Sequence, residues 1–288
     1  MKTVGKVVIG VAAYIIGVVV TGVVTSLLHL PVMDGPPGVS QQAAFAAFVF
    51  GTTLLVAGMT PLVVGLGGSR LRRIAALFVL VFGSVTMNTM IEAAIFTTWI
   101  KGGVALECAR YILPVLMLST AFALLFKSAG EPLRLPKFSP TQWIWRIAVA
   151  WVAFPVIYIA FGMCVGPFVT PAYLAGVGGL ILPPMSVILK TQFLIRSPLF
   201  LLSSLPVIAL WSGSRKRLFI TFAIAEAIMV GIHGLVQAFW FPPLLRVLHS
   251  IEITADSFAY IAVLVWLFSA REAKAAEVKP ELNVAPAH

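Results

Sequence analysis

The sequence predicts an all-α polytopic membrane protein: eight transmembrane helices in two parallel four-helix repeats, with both termini on the inner side. Three observations predict it. First, the 288-residue chain is 60% hydrophobic and only 10% charged, whereas a soluble domain carries about 25% charged residues. Its mean hydropathy is +1.03. Such a chain cannot cover itself with polar surface in water, and its length accommodates about eight spans of 20 residues. Second, the net charge of +10 sits in short basic clusters between apolar runs. That pattern sets topology and argues against a nucleic-acid partner. Third, residues 61–72 (PLVVGLGGSRLR) and 206–217 (PVIALWSGSRKR) share a Pro, six residues, then Gly-Ser-Arg-x-Arg, at an offset of 145 positions. The same offset pairs Asn88 with His233, Glu92 with Gln237, Lys101 with Arg246 and Glu107 with Glu252.

Lys2 and Lys6 precede the first span, 7–28. It is longer than the roughly 7–15-residue core of a signal peptide and offers no cleavage site, so it reads as an uncleaved helix. The outer loop 29–42 holds Pro and Gly but no Lys or Arg. In the second span, 43–66, Ala43, Ala47 and Gly51 form a small-residue stripe for close helix contact. Arg70, Arg72 and Arg73 mark an inner turn before the third span, 74–99, in which Trp99 is the expected interfacial anchor. The fourth span, 104–126, begins with Glu107 and Arg110, three apart and expected to pair. Residues 1–126 form the first repeat, and 127–146, with Lys127, Arg134, Lys137 and Arg146 against Glu131, is the inner linker.

The second repeat covers 147–270. Its first span, 147–166, contains Pro155, which predicts a kink. Residues 167–190 are apolar but broken by Pro171, Gly176, Gly178, Gly179, Pro183 and Pro184. Were they to span, the Arg215–Arg217 cluster would fall outside. A non-spanning outer segment buried against protein is therefore expected. The remaining spans are 191–212, 218–240 and 252–269, with an outer loop at 241–250 and a disordered inner tail at 271–288. This arrangement places fifteen Lys and Arg inside and five outside (101, 110, 190, 196 and 246). The asymmetry fits an inner, bacterial-type plasma membrane with cytoplasmic termini. Cys108 and Cys164 form no CxxC; a disulfide between the halves and two separate buried thiols both stand open.

Ionisable groups inside a membrane are costly, so each needs a reason. Asn88, Thr89 and Glu92 share one helical face, as do Glu226, His233 and Gln237. Together they predict a polar site between the third and seventh helices in the outer half of the bilayer. There Glu92 would carry a proton, Asn88, His233 and Gln237 would orient substrate, and Glu226 would be an inner relay. The same residues would also serve as a hydrogen-bonded pair holding the halves in register. His249, Glu252 and Asp256, spaced three and four apart, present imidazole and two carboxylates suited to zinc, iron or manganese. His29 and Asp34 lie on the same side. Without metal, Glu252 and Asp256 complement a helix dipole. The outer basic residues Lys101, Lys190, Arg196 and Arg246 either snorkel to headgroups or line a vestibule for an anion.

There is no Walker A, no GxGxxG, no GxSxG and no histidine set for two haems. Three functional classes remain. The leading one is a transporter of a small solute, coupled to a proton or cation. The second is a metal-dependent membrane enzyme acting on a lipid-type substrate at the outer interface. The third is an assembly or sensor subunit. The partners implied are the lipid bilayer and a small-molecule or lipid ligand, and the one cofactor implied is the divalent metal of the second class.

Overall fold

The computed structural model describes residues 2–33, 38–132 and 137–269. Asp34, Arg134 and the tail 271–288 lie outside the described residues. Among those described, regular structure is helical, and eight helices are long and apolar enough to cross a membrane: α1 (Thr3–Leu27), α2 (Gln41–Val64), α3 (Arg70–Phe96), α4 (Val104–Leu125), α5 (Pro140–Leu174), α6 (Met185–Leu210), α7 (Arg215–Gln237) and α8 (Pro243–Phe268). The chain is an integral membrane protein.

The Gly-Ser-Arg-x-Arg motifs are helix starts. The Ser69 hydroxyl accepts from the Arg72 amide and the Ser214 hydroxyl from the Arg217 amide, opening α3 and α7. Arginines in a first turn oppose the helix dipole. Their presence there answers to the membrane surface rather than to helix stability. Ser139 and Gln142 form a reciprocal capping box at the start of α5.

The helices pack in two similar sets. α1 lies against α2 and α4, with α3 on α4; α5 lies against α6 and α8, with α7 on α8. Between the sets, α2 packs on α7 and α3 on α6. A single large core of Leu55, Met59, Leu77, Leu80, Phe122, Phe200, Phe222 and Leu264 runs through the contact.

At the end carrying the two arginine motifs, here the basic end, Leu66 bridges Trp211 in antiparallel fashion. The Gly67 amide donates to the Leu210 carbonyl at 2.7 Å and the Ser212 amide to the Gly65 carbonyl at 3.0 Å. Gly65 is required here, because a Cβ would lie 2.0 Å from the Trp211 ring. Arg73 is not a surface anchor. It is buried and caps the end of α4, donating to the Phe126 carbonyl at 2.8 Å and the Ala123 carbonyl at 3.0 Å. Arg146 does the same for α8 through the Leu267 carbonyl.

The far end departs from expectation in three places. α5 continues through Pro155, Pro167 and Pro171 for 35 residues and α6 starts at Met185 rather than near 191, so of the expected non-spanning segment 167–190 only 175–184 lies between the two helices. Along the extension Val169 packs with Leu180 and Leu245 in a small core of its own. α8 starts at Pro243 rather than near 252, so His249 lies inside the helix. Trp99, the expected interfacial anchor, is tied into the protein itself. Its indole N–H donates to the Gly178 carbonyl at 2.9 Å and its ring stacks on Phe241. The Glu107–Arg110 pair forms as expected, with N–O distances of 2.8 and 2.6 Å, and Arg110 also reaches the Pro31 carbonyl. Cys108 and Cys164 are free thiols, the first buried and the second exposed.

Candidate functional site

Three π-turns interrupt the helices: Val81–Met87 in α3, Gln192–Arg196 in α6 and Ile228–Ile232 in α7. An extra residue per turn re-aims the side chains that follow and frees carbonyls, and such turns recur at functional sites. Here they immediately precede Asn88, contain Gln192 and Arg196, and immediately precede His233.

Arg196 is the centre of the site. It sits about 16 Å along α6 from the far end and its side chain is 4% exposed. Nε donates to Asn88 Oδ1 at 2.7 Å, one Nη to Gln192 Oε1 at 3.1 Å, and the other pairs with Glu92 Oε1 at 2.7 Å. The guanidinium lies 5.0 Å from the Tyr158 ring centroid and 5.5 Å from that of Phe154, both within cation–π range. Expected at the headgroups or a vestibule wall, Arg196 is instead buried between α3, α5 and α6.

α8 supplies the other side. His249 Nδ1 and Glu252 Oε2 are 2.6 Å apart, and Tyr173 Oη lies 3.2 Å from His249 Nε2. Tyr173 reaches this point only because α5 runs past Pro167 and Pro171. Asp256 is within electrostatic reach of Glu252, Arg196 and Glu92, and its Oδ1 is buried without a hydrogen-bond partner. Tyr158 faces Arg196, Glu92, Glu252 and Asp256 together, which puts it in the middle of the cluster. Gly162 leaves room for Glu252, whose Oε1 would lie 3.3 Å from a Cβ there.

The two groups singled out in the sequence, Asn88–Glu92 and His249–Glu252–Asp256, thus meet in one cluster through Arg196 and the α5 tyrosines. His233 and Gln237 do not join it. The Gln237 side chain and the His233 carbonyl pack on Gly51 of α2, and His233 Nδ1 bonds the Ile228 carbonyl at 3.1 Å, one of those loosened by the π-turn. Glu226 is deeper, buried beside Ser84. Among the described residues, no set of three His, Cys, Asp or Glu is arranged to hold a metal ion. His249 spends both ring nitrogens on Glu252 and Tyr173, and the exposed His29 contacts the carbonyl of Leu27.

A cap closes the far end above the cluster. Thr97 bridges Leu180, the Thr98 amide donates to the Gly179 carbonyl and the Ile181 amide to the Phe96 carbonyl. Gly178 and Gly179 adopt φ of +61° and +84°, a region open to glycine. With one guanidinium and one imidazole against three carboxylates, the cluster has surplus acceptors, suited to a proton or a cationic group of a ligand. No family model, curated protein or solved structure matches this chain.

Sequence reasoning misplaced Arg196 and missed Gln192, Tyr158 and Tyr173. For Arg196 and Gln192 a signal was present: at the 145-residue offset, Ala47 falls on Gln192 and Gly51 on Arg196. The tyrosines had none, since both lie on an apolar helix whose length the prolines disguised.

Proposed function

We propose that the protein transports a small solute, coupled to a proton or other cation, through the polar cluster at the far end of α3, α5, α6 and α8. The observation that carries this reading is Arg196: a buried guanidinium at membrane depth, paired with Glu92, with Asp256 within electrostatic reach of it and Glu252 beside Asp256. A structural ion pair needs one acid. Three acids, one with an unpartnered oxygen, suit a site that exchanges a positive charge. In this reading the basic end is cytoplasmic by its Lys and Arg excess, both termini are inside, the cluster faces outward, and the membrane is a bacterial inner membrane.

The reading includes an internal duplication about an axis along the membrane normal, as in parallel-repeat transporters. Several contacts support it, each mapped onto a partner by 145 positions. The members of the Leu66–Trp211 bridge are partners of each other. The Ser69 and Ser214 caps correspond. The π-turns of α3 and α7 end at corresponding residues, Met87 and Ile232. Gly83 packs on Ser203 where Gly58 packs on Ile228. Arg196 faces Asn88 and Glu92 where Gly51 faces His233 and Gln237.

The test is uptake by proteoliposomes of a panel of labelled amines, amino acids and inorganic cations. Removing one charge-assisted hydrogen bond is worth about 1.5–3 kcal/mol, at least about tenfold in affinity. Glu92→Gln and Asp256→Asn should each lower uptake by that factor while the protein stays folded. Unchanged uptake in both variants would sink the proposal.

A membrane enzyme acting on a lipid-type substrate is the second reading, favoured by the Glu252–His249–Tyr173 chain. A carboxylate that fixes the imidazole tautomer, leaving Nε2 to accept from a hydroxyl, is the arrangement of an acid/base relay. Turnover of extracted lipids that survives Glu92→Gln but not His249→Gln would favour it over transport.

A further inference from the structure

We propose that Glu226 is a proton-binding station at the middle of the membrane. The inference rests on the transport reading for its role and names the coupling ion as a proton. Glu226 lies about 16 Å along α7 from the basic end, near the midplane of a hydrocarbon core about 30 Å thick. It is 3% exposed, and neither carboxyl oxygen completes a hydrogen bond. The site is too enclosed for a solute; a proton needs no cavity.

Ser84 of α3 stands beside Glu226. Its Oγ is 2.9 Å from Ser203 Oγ, which also reaches the Phe200 carbonyl at 3.2 Å. These hydroxyls are neutral and supply no counter-charge. A carboxylate buried without a counter-charge is costly, and a proton removes that charge.

Of the helices packed against α7, α8 presents Tyr260 to Glu226 and α3 presents Ser84. No ion pair joins Glu226 to a Lys, Arg or His among the described residues. Tyr260 is buried with an unpartnered hydroxyl. It stands one turn below Asp256 on the face that also carries His249 and Glu252.

The first experiment is infrared difference spectroscopy of the purified protein in nanodiscs at neutral pH. The protonated-carboxyl C=O band should vanish in Glu226→Gln, persist in Glu226→Asp, and shift in Ser84→Ala, which removes the neighbouring hydroxyl. A wild-type spectrum without the band, or a band that Glu226→Gln leaves intact, would overturn the station. So would loss of the band on replacing choline chloride by sodium chloride, which would make the ion sodium. If Glu226→Gln does not fold, the Ser84→Ala shift decides. In proteoliposomes, Glu226→Gln should abolish uptake driven by a pH gradient while uptake down the solute's own gradient continues. Wild-type uptake indifferent to the pH gradient would refute proton coupling and leave the transporter. Absence of uptake for every solute, with the band present, would refute transport and leave the station.

Discussion

Replacing Arg196 by Met tests whether the cluster is organised by that one charge. The substitution keeps the stem among Phe154, Tyr158 and Phe200 and removes three polar contacts: Asn88 at 2.7 Å, Gln192 at 3.1 Å and Glu92 at 2.7 Å. Breaking a buried pair by deleting one partner costs about 3–5 kcal/mol, because the other is left buried and unpaired. Asn88 and Gln192 are fully buried and feel the whole loss. The Glu92 side chain is 33% exposed and recovers part of its solvation, so the lower figure, about 3 kcal/mol, applies. For a protein of this size, about 2 °C of Tm accompanies each kcal/mol, a fall of about 6 °C. The assay is thermal unfolding in nanodiscs at one fixed scan rate, because irreversible unfolding makes Tm rate-dependent. Arg196→Met with Glu92→Gln removes the stranded charge and should recover about 1–2 kcal/mol relative to Arg196→Met alone, a coupling that only interacting residues show. A fall under about 2 °C for the single variant, or strict additivity in the double, would refute a central role for Arg196.

Two further predictions concern the ends of the molecule. Gly179→Ala places a Cβ 2.7 Å from Trp99 Nε1 at a φ of +84°. It should cost about 1–3 kcal/mol of strain, red-shift tryptophan emission and speed hydrogen exchange at the Thr98 amide; protection equal to wild type would count against the cap. Arg73→Met strips the donors from the Ala123 and Phe126 carbonyls and should lower stability by about 1–3 kcal/mol. The exposed Arg72→Met should stay within about 0.5 kcal/mol, and equal effects of the two would return Arg73 to a surface role.

The spans were legible because lipid imposes one rule on every stretch: about 20 apolar residues between polar ends. The motif at Arg70 and Arg215 was legible as a turn, since Gly, Ser and Arg together mark a helix start at a membrane surface. What the sequence hid was direction around each helix. Asn88 and His233 occupy matching positions, which suggested that they face each other. Instead Asn88 bonds Arg196 of α6, while the His233 imidazole bonds the Ile228 carbonyl of its own helix and its backbone carbonyl meets Gly51 of α2. Helical spacing fixes which residues share a face but not which helix that face meets, and a π-turn just before each residue shifts the phase further. α8 was misread for a related reason. Pro242 and Pro243 look like loop residues, yet proline is tolerated in the first turn of a helix, and starting α8 there carries His249 toward Tyr173.

The contrast between Gly51 and Arg196 explains why one side of the protein carries a charged cluster and the other does not. At Arg196, a long side chain stands between α6 and α3 and needs the acceptors of Asn88 and Glu92. At Gly51, α2 and α7 touch directly. A Cβ there would lie 2.6 Å from Gln237 Cγ, 2.7 Å from its Nε2 and 2.8 Å from the His233 carbonyl oxygen. Gln237 can swing away, but the carbonyl belongs to the backbone and moves only with the helix. Gly51→Ala should therefore destabilise by about 1–3 kcal/mol, the usual penalty for overpacking a close contact, which is about 2–6 °C in Tm. Gly51→Ala with Gln237→Ala removes the flexible obstacle and leaves the rigid one, so recovery should be partial. It should not restore wild-type stability, because the carbonyl still forces α2 and α7 apart. Full rescue would show that only the glutamine side chain is tight and that the backbones have room to spare. The α2–α7 seam would then be open enough to hold a second site, and the division between a working face and a sealed one would fall.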